Sequence, residues 1–228
     1  MQRILLFTKT TGYRHDSMEA GVDAVTQLAA AAGVVVDHTE DSAVFTTDSL
    51  QRYAAVVWLN VSGDVLDQDG RRAFASYLRA GGGFAAIHGP ADAEWSWPEY
   101  DTILGARFLF HPREHQFQRA TMRSERHGHA STAELPNPWV WTDEFYAFKS
   151  NPRPRVSVLL TVDESTYDPE LEPMGADHPV SWTARYGAGR TWYTALGHNA
   201  EAYSDAEFRS HLWGGISSVI ADIRKVDN

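Results

Sequence analysis

Apolar positions along the first half of the chain fall into short continuous runs, and helical stripes separate them. Arg3–Phe7, 34–38, 54–60 and 84–88 read as strands. Between the first two, Met18, Val22, Val25, Leu28 and Ala32 recur at helical spacing, with Asp16 and Glu19 placed as a capping box and Gly33 as the stop. A short helical turn is expected over 49–53. Asp67 caps a further helix whose apolar stripe is Phe74, Tyr77 and Leu78, and Gly81-Gly82-Gly83 ends it. Strands that are apolar throughout, alternating with helices, predict a parallel sheet covered on both faces.

The second half mixes its signals. Residues 106–110, 117–123, 156–162, 179–186 and 190–196 read as strands, the last two joined as a hairpin through Gly187-Ala188-Gly189. The acidic stretch 163–177 reads as an exposed loop and 205–223 as a closing helix. Repeats and linkers are absent, so residues 1–228 are expected to form one domain.

Composition narrows the function. The formal charge is −10 and no basic run carries interleaved aromatics, which argues against nucleic acid. The chain has no cysteine, which removes disulfides, thiolate ligands and any thiol nucleophile. No apolar stretch approaches a membrane span, and the N-terminus reads as a strand, not a signal peptide, so a cytoplasmic protein away from membranes is expected. Ten histidines and eight tryptophans suit proton handling and sugar stacking, though cores and surfaces use both.

In open parallel sheets, ligands sit beyond the carboxyl ends of the strands. Four strand ends carry polar residues toward one rim: His15, Asn60, His88 and His198. His88 stands at a strand end before Gly89, as at a sharp turn that exposes one side chain; otherwise it only bonds a loop carbonyl. His198 follows Gly197, and satisfying a buried carbonyl is its plainer role. His15 lies before the first helix, beside Arg14, where helix capping competes with ligand contact. Downstream, Asp92 and Trp95 offer sugar contacts, whereas core packing suits Trp97 better. Glu144 and Tyr146 pair a carboxylate with a phenol, against the alternative of a surface acid. His111 and His115 have metal-like spacing, but Pro112 disfavours the helix that spacing needs. His127 and His129 read as solvated, and His211 as a structural or exposed helix residue. Dinucleotide, phosphate-loop and serine-elbow signatures are absent.

The segments Thr11-Gly12-Tyr13-Arg14-His15-Asp16-Ser17, Gly81 to Gly89, Leu104 to Pro112, His178-Pro179-Val180-Ser181-Trp182 and Tyr186 to His198 together resemble, in order, the ThuA-like trehalose-utilisation family. That resemblance covers nearly the whole chain. It implies a flavodoxin-like fold related to class I glutamine amidotransferases, a three-layer α/β sandwich with a mostly parallel sheet and added antiparallel strands. His88 would stand where those enzymes carry their cysteine and His198 where they carry a histidine, so glutamine hydrolysis is excluded. The resemblance also implies a role with trehalose or related disaccharides, including keto forms, and an oxidoreductase as functional partner.

The leading expectation is an acid–base enzyme, a hydrolase, lyase or isomerase of a keto-glycoside. His88 and His198 would move protons with His15 assisting, and Asn60, Asp92, Trp95, His111, Glu144 and Tyr146 would hold a small-molecule sugar. Should the three histidines converge, they suit a divalent metal such as zinc. A non-catalytic sugar-binding or regulatory module is the alternative, and it predicts histidines too far apart to cooperate. An amidohydrolase with a different nucleophile has only fold analogy behind it. A homo-oligomer is compatible with the sequence.

Overall fold

The computed structural model describes residues 1–220. Its strands are β1 (Arg3–Phe7), β2 (Val35–Thr39), β3 (Ala55–Leu59), β4 (Gly83–Ile87), β5 (Phe108–Phe110), β6 (Gln118–Ser124), β7 (Trp139–Asp143), β8 (Ala147–Phe148), β9 (Ser157–Asp163), β10 (Pro179–Tyr186) and β11 (Gly189–Thr194). The helices are α1 (Met18–Ala31), α2 (Thr47–Leu50), α3 (Gln68–Arg79), α4 (Tyr100–Leu104) and α5 (Ala206–Val219), with short 3₁₀ turns between. Nine strands form one sheet in the order β2-β1-β3-β4-β11-β10-β9-β6-β7. The β2 to β11 part is parallel and the rest antiparallel, while β5 and β8 form a separate pair. The fold is therefore the expected mixed α/β architecture.

Chain direction explains the layers. From β1 the chain crosses through α1 to β2 at one edge, and from β3 it crosses through α3 to β4 in the other direction. Right-handed crossovers running opposite ways put their helices on opposite faces. Covered on both sides, β3 and β4 are buried throughout, which is why they carry no alternating pattern. Trp58 on β3 stacks on Phe74 of α3 at 5.4 Å and on Tyr100 of α4 at 5.5 Å, tying that layer to the sheet.

Several local expectations change. The capping box at Asp16 and Glu19 does not form: Ser17 is the N-cap of α1 and makes no side-chain cap bond. Its hydroxyl is spent on tertiary contacts instead, accepting from the Asn60 amide at 3.0 Å and donating to the Gly197 carbonyl. Asp67 does cap α3, accepting from the Gly70 N–H. Strand β8 and helix α4 are too short to announce themselves by periodicity, and β7, Trp139–Asp143, is a strand not expected from the sequence. The acidic stretch 163–177 is more than an exposed loop, because Glu164 bonds the buried His178 and the N–H groups of Met174 and Gly175. Positions 221–223 of the expected closing helix lie outside the described residues. Among the described residues, no helix is long and apolar enough to cross a membrane.

Candidate functional site

Three loops leave the carboxyl ends of β1, β4 and β11 and bring His15, His88 and His198 together. The ring centroids of His15 lie 4.8 Å from those of both His88 and His198, and His88 and His198 are 4.9 Å apart. One nitrogen from each ring falls within 4.8 Å of one from each of the others. The parallel register produces this: β4 pairs with both β3 and β11, so residues just past their ends share one rim.

His88 occupies a strained backbone position, φ 57° and ψ −94°. Non-glycine residues adopt positive φ at a cost of roughly 1–3 kcal/mol, which the surroundings must cover. Here the His88 N–H donates to the Thr194 carbonyl at 2.7 Å, and the Tyr193 hydroxyl donates to the His88 carbonyl at 3.1 Å. Gly89 is required next, since a Cβ there would sit 2.9 Å from the Asn60 backbone. The turn drives the imidazole up and inward, fully buried.

Hydrogen bonds set the tautomers. His88 Nδ1 lies 2.6 Å from the Ala195 carbonyl, so it carries the proton and donates. Its Nε2 therefore presents a lone pair, and the Tyr146 hydroxyl donates to it at 2.8 Å. His198 Nδ1 stands 3.0 Å from Glu144 Oε2 and 3.0 Å from His88 Nε2. The Glu144 carboxylate is the hub. Its Oε2 faces His88 and His198, while its Oε1 accepts from the Gln116 amide at 2.6 Å and lies 3.3 Å from His111 Nδ1.

Electrostatics follow from burial and neighbours. Burial, reinforced by the adjacent His88 and His198, pushes the His15 imidazole down to about 2, so it is neutral. Burial alone would raise Glu144, but the adjacent His198 and His88 outweigh it and hold the carboxylate far below its usual range. Burial, with the Glu144 charge nearby, raises Tyr146 well above the usual phenol range and keeps its hydroxyl a donor. The site thus holds a carboxylate, a phenol and three imidazoles, that of His15 neutral, within a few ångströms.

A supporting layer fixes these groups. Buried Asp143, at the end of β7, accepts from the N–H groups of Gly197 (2.8 Å), His198 (3.2 Å) and Glu144 (2.9 Å) and from the Trp141 indole (3.0 Å). One carboxylate thereby locks the loop carrying His198 to the strand end carrying Glu144. On the far side of Tyr146, Glu164 accepts from or pairs with His178 Nδ1, and His178 Nε2 donates to the Tyr146 carbonyl at 2.9 Å. Tyr13 and Phe117 flank His198 at 6.3 and 5.2 Å, and they are 59% and 47% exposed. They form the open side of the cluster.

Of the residues singled out in the sequence, His15, His88, His198, His111, Glu144 and Tyr146 come together. Asn60 is buried with its amide on Ser17, and it braces α1 against the rim. Trp95 donates its indole N–H to Asp92, and its ring packs against Lys149 at 4.1 Å and Arg107 at 5.2 Å. The Asp92 charge also acts on Tyr146. Trp97 is buried, His115 and His127 are exposed, and His129 is half-buried. His211 is fully buried on α5, between the Ser131 carbonyl and the Thr194 hydroxyl. Sequence reasoning missed Asp143, Gln116, His178, Tyr13 and Phe117. All lie in or beside the motifs that were noticed, but their roles depend on partners remote in sequence. A cavity of about 540 Å³ opens at the amino end of β11 among Arg155, Arg185 and Arg190, away from this chemistry.

Comparison with known proteins supports the architecture. A ThuA-like protein from Bacteroides uniformis superposes with a TM-score of 0.82 at 24% identity, over 97% of this chain and 92% of that one. One from Parabacteroides merdae gives 0.76 at 21%, over 99% and 92%. A cytoplasmic protein of Salmonella typhimurium LT2 gives 0.64 at 14%, over 97% and 100%. No curated protein matches the sequence. At these identities the structures speak for the fold, and the family follows from the sequence itself: residues 3–218 match the family model described as ThuA, trehalose utilisation. With its histidine-bearing strand ends spanning that match from one end to the other, the chain belongs to the ThuA family.

Proposed function

We propose that this protein is an enzyme that processes a keto-glycoside derived from trehalose or a related disaccharide, moving protons beside the carbonyl. Membership of a trehalose-utilisation family supports the substrate class. One observation carries the reaction class: a single carboxylate, Glu144, is bonded to the His198 imidazole, lies 3.3 Å from that of His88 and stands near a neutral phenol.

That arrangement differs from the usual glycoside-hydrolase plan, in which two carboxylates flank the bond, about 5 to 9.5 Å apart. Here the adjacent Asp143 is consumed by four N–H donors. A lone base is enough when a ketone acidifies a neighbouring C–H. Glu144 takes that proton and the electron pair enters the carbonyl to give an enolate. When the enolate collapses, the glycosidic oxygen leaves on the β carbon and collects a proton from a nearby donor such as His198. The Tyr146 hydroxyl, kept protonated, is the donor available to the oxygen that gains charge, and Tyr13 and Phe117 offer faces for sugar stacking. We place the protein in the cytoplasm, as the Salmonella relative's name states for that protein, with an oxidoreductase supplying the ketone.

The competing module reading expects histidines too far apart to cooperate, and the 3.0 Å contact between His88 and His198 argues against it. Incubation with trehalose and with its 3-keto derivative, followed by NMR, tests the proposal. Turnover of the keto-sugar that falls at least 100-fold in Glu144→Gln supports it. Saturable binding of either sugar with no conversion by the wild-type protein would mark a binding module.

A further inference from the structure

The mutual arrangement of the imidazoles goes beyond what proton transfer asks for. Three rings arrive from three different strand ends, and two of them, His15 and His88, are buried. His88 is oriented by the Ala195 carbonyl, as a metal-binding histidine is oriented by the acceptor on its other nitrogen, and its Nε2 lone pair faces inward. Around that nitrogen stand the Tyr146 hydroxyl at 2.8 Å, His198 Nδ1 at 3.0 Å and Glu144 Oε2 at 3.3 Å. Nitrogen and carboxylate-oxygen atoms able to ligate a cation thus converge on one small volume. His15 adds a second observation: its Nδ1 is buried and has no hydrogen-bond partner. A buried polar atom without a partner costs about 1–3 kcal/mol.

We propose that His15, His88 and His198 bind one divalent cation of the zinc type. Glu144 stands against its open coordination position, and Tyr146 and Gln116 complete the outer shell. The ligand chemistry is consistent: three imidazole ligands leave one position free, as in catalytic zinc sites. Tetrahedral nitrogens at bonding distance from zinc lie about 3.4 Å apart, so ring rotations of about an ångström bring the observed set onto a metal. A cation there would polarise a carbonyl or hydroxyl of the substrate and leave Glu144 as the base. The catalytic consequence rests on the function proposed above, whereas the binding itself does not.

The experiment uses the full-length protein, stripped with a chelator and dialysed. Zinc is titrated by calorimetry, stoichiometry is read by elemental analysis, and cobalt(II) serves as a visible-absorbing stand-in. One zinc per chain is expected, together with a cobalt spectrum of the intense, low-coordinate kind. Affinity should fall at least 100-fold in His88→Ala and in His198→Gln, the latter changing the most solvent-accessible of the three rings. His115→Ala, at an exposed position, should leave it unchanged. Circular dichroism and melting curves accompany each variant, and the cobalt spectrum of the wild type stands even if a variant fails to fold. Absence of stoichiometric binding in the wild type, or affinity that survives His198→Gln, overturns the metal site. Keto-sugar turnover by metal-free protein that binds no zinc would overturn the metal site while leaving the functional reading intact. Zinc bound as described without turnover would uphold the site and count against that reading.

Discussion

Replacing Asp143 by Asn is the sharpest probe of how the site is held. The native carboxylate is fully buried and accepts four hydrogen bonds, two on each oxygen: His198 and Glu144 N–H on Oδ1, Gly197 N–H and the Trp141 indole on Oδ2. Asn fills the same space but keeps one acceptor oxygen. Either orientation loses two bonds and points an NH₂ at two N–H donors. Hydrogen bonds to a charged group contribute roughly 1.5–3 kcal/mol each. Two lost bonds give about 3–6 kcal/mol, and relief from burying a charge offsets part of it. The expected net loss is about 2–4 kcal/mol in urea denaturation, large against a total stability of about 5–15 kcal/mol. The damage should be directional, because the broken bonds join the His198 loop to Glu144. Keto-sugar turnover in the folded fraction should drop at least tenfold, beyond what unfolding explains. A shift below about 0.5 kcal/mol with turnover intact would refute the idea that this carboxylate organises the rim.

Other consequences are independent of that network. Gly215 of α5 packs against the Trp192 indole so closely that a Cβ would sit 2.1 Å from a ring atom, so Gly215→Ala should destabilise by about 3 kcal/mol or more. A melting temperature within a degree or two of wild type would contradict that packing. Burial holds the His211 imidazole at about 4, against an ordinary value near 6.5. Because the folded value is the lower one, His211 favours folding fully above about 6.5, and that contribution is lost as pH falls toward 4. The stability difference between wild type and His211→Gln should therefore narrow by about 3 kcal/mol between pH 7 and pH 4. Parallel pH–stability curves for the two proteins would rule this out. Tyr13→Ala and Phe117→Ala remove exposed rings, so melting should barely move while KM for a keto-disaccharide rises several-fold. Unchanged KM in both would remove them from the sugar path.

Much of this protein was legible in its chain. Continuous apolar runs at Arg3–Phe7, Ala55–Leu59 and Gly83–Ile87 could only be buried parallel strands, and burial on both faces erases alternation. Once the strands are parallel, the residues after their ends must meet at one rim, so His15, His88 and His198 were found from order along the chain. Tertiary structure alone decided which polar groups work together. Asn60 sits at the same rim but turns to Ser17, because a positive φ of 52° redirects it. Trp95 follows His88 closely yet is captured by Asp92, Arg107 and Lys149. Asp143 ties its own strand end to Gly197 and His198, more than fifty positions away, and that remote half of its partnership leaves no local pattern around it. Periodicity records what a segment buries, and that depends on neighbours a few residues away. Hydrogen-bond partnership depends on which strands lie side by side, a choice made only when the sheet closes in its one register.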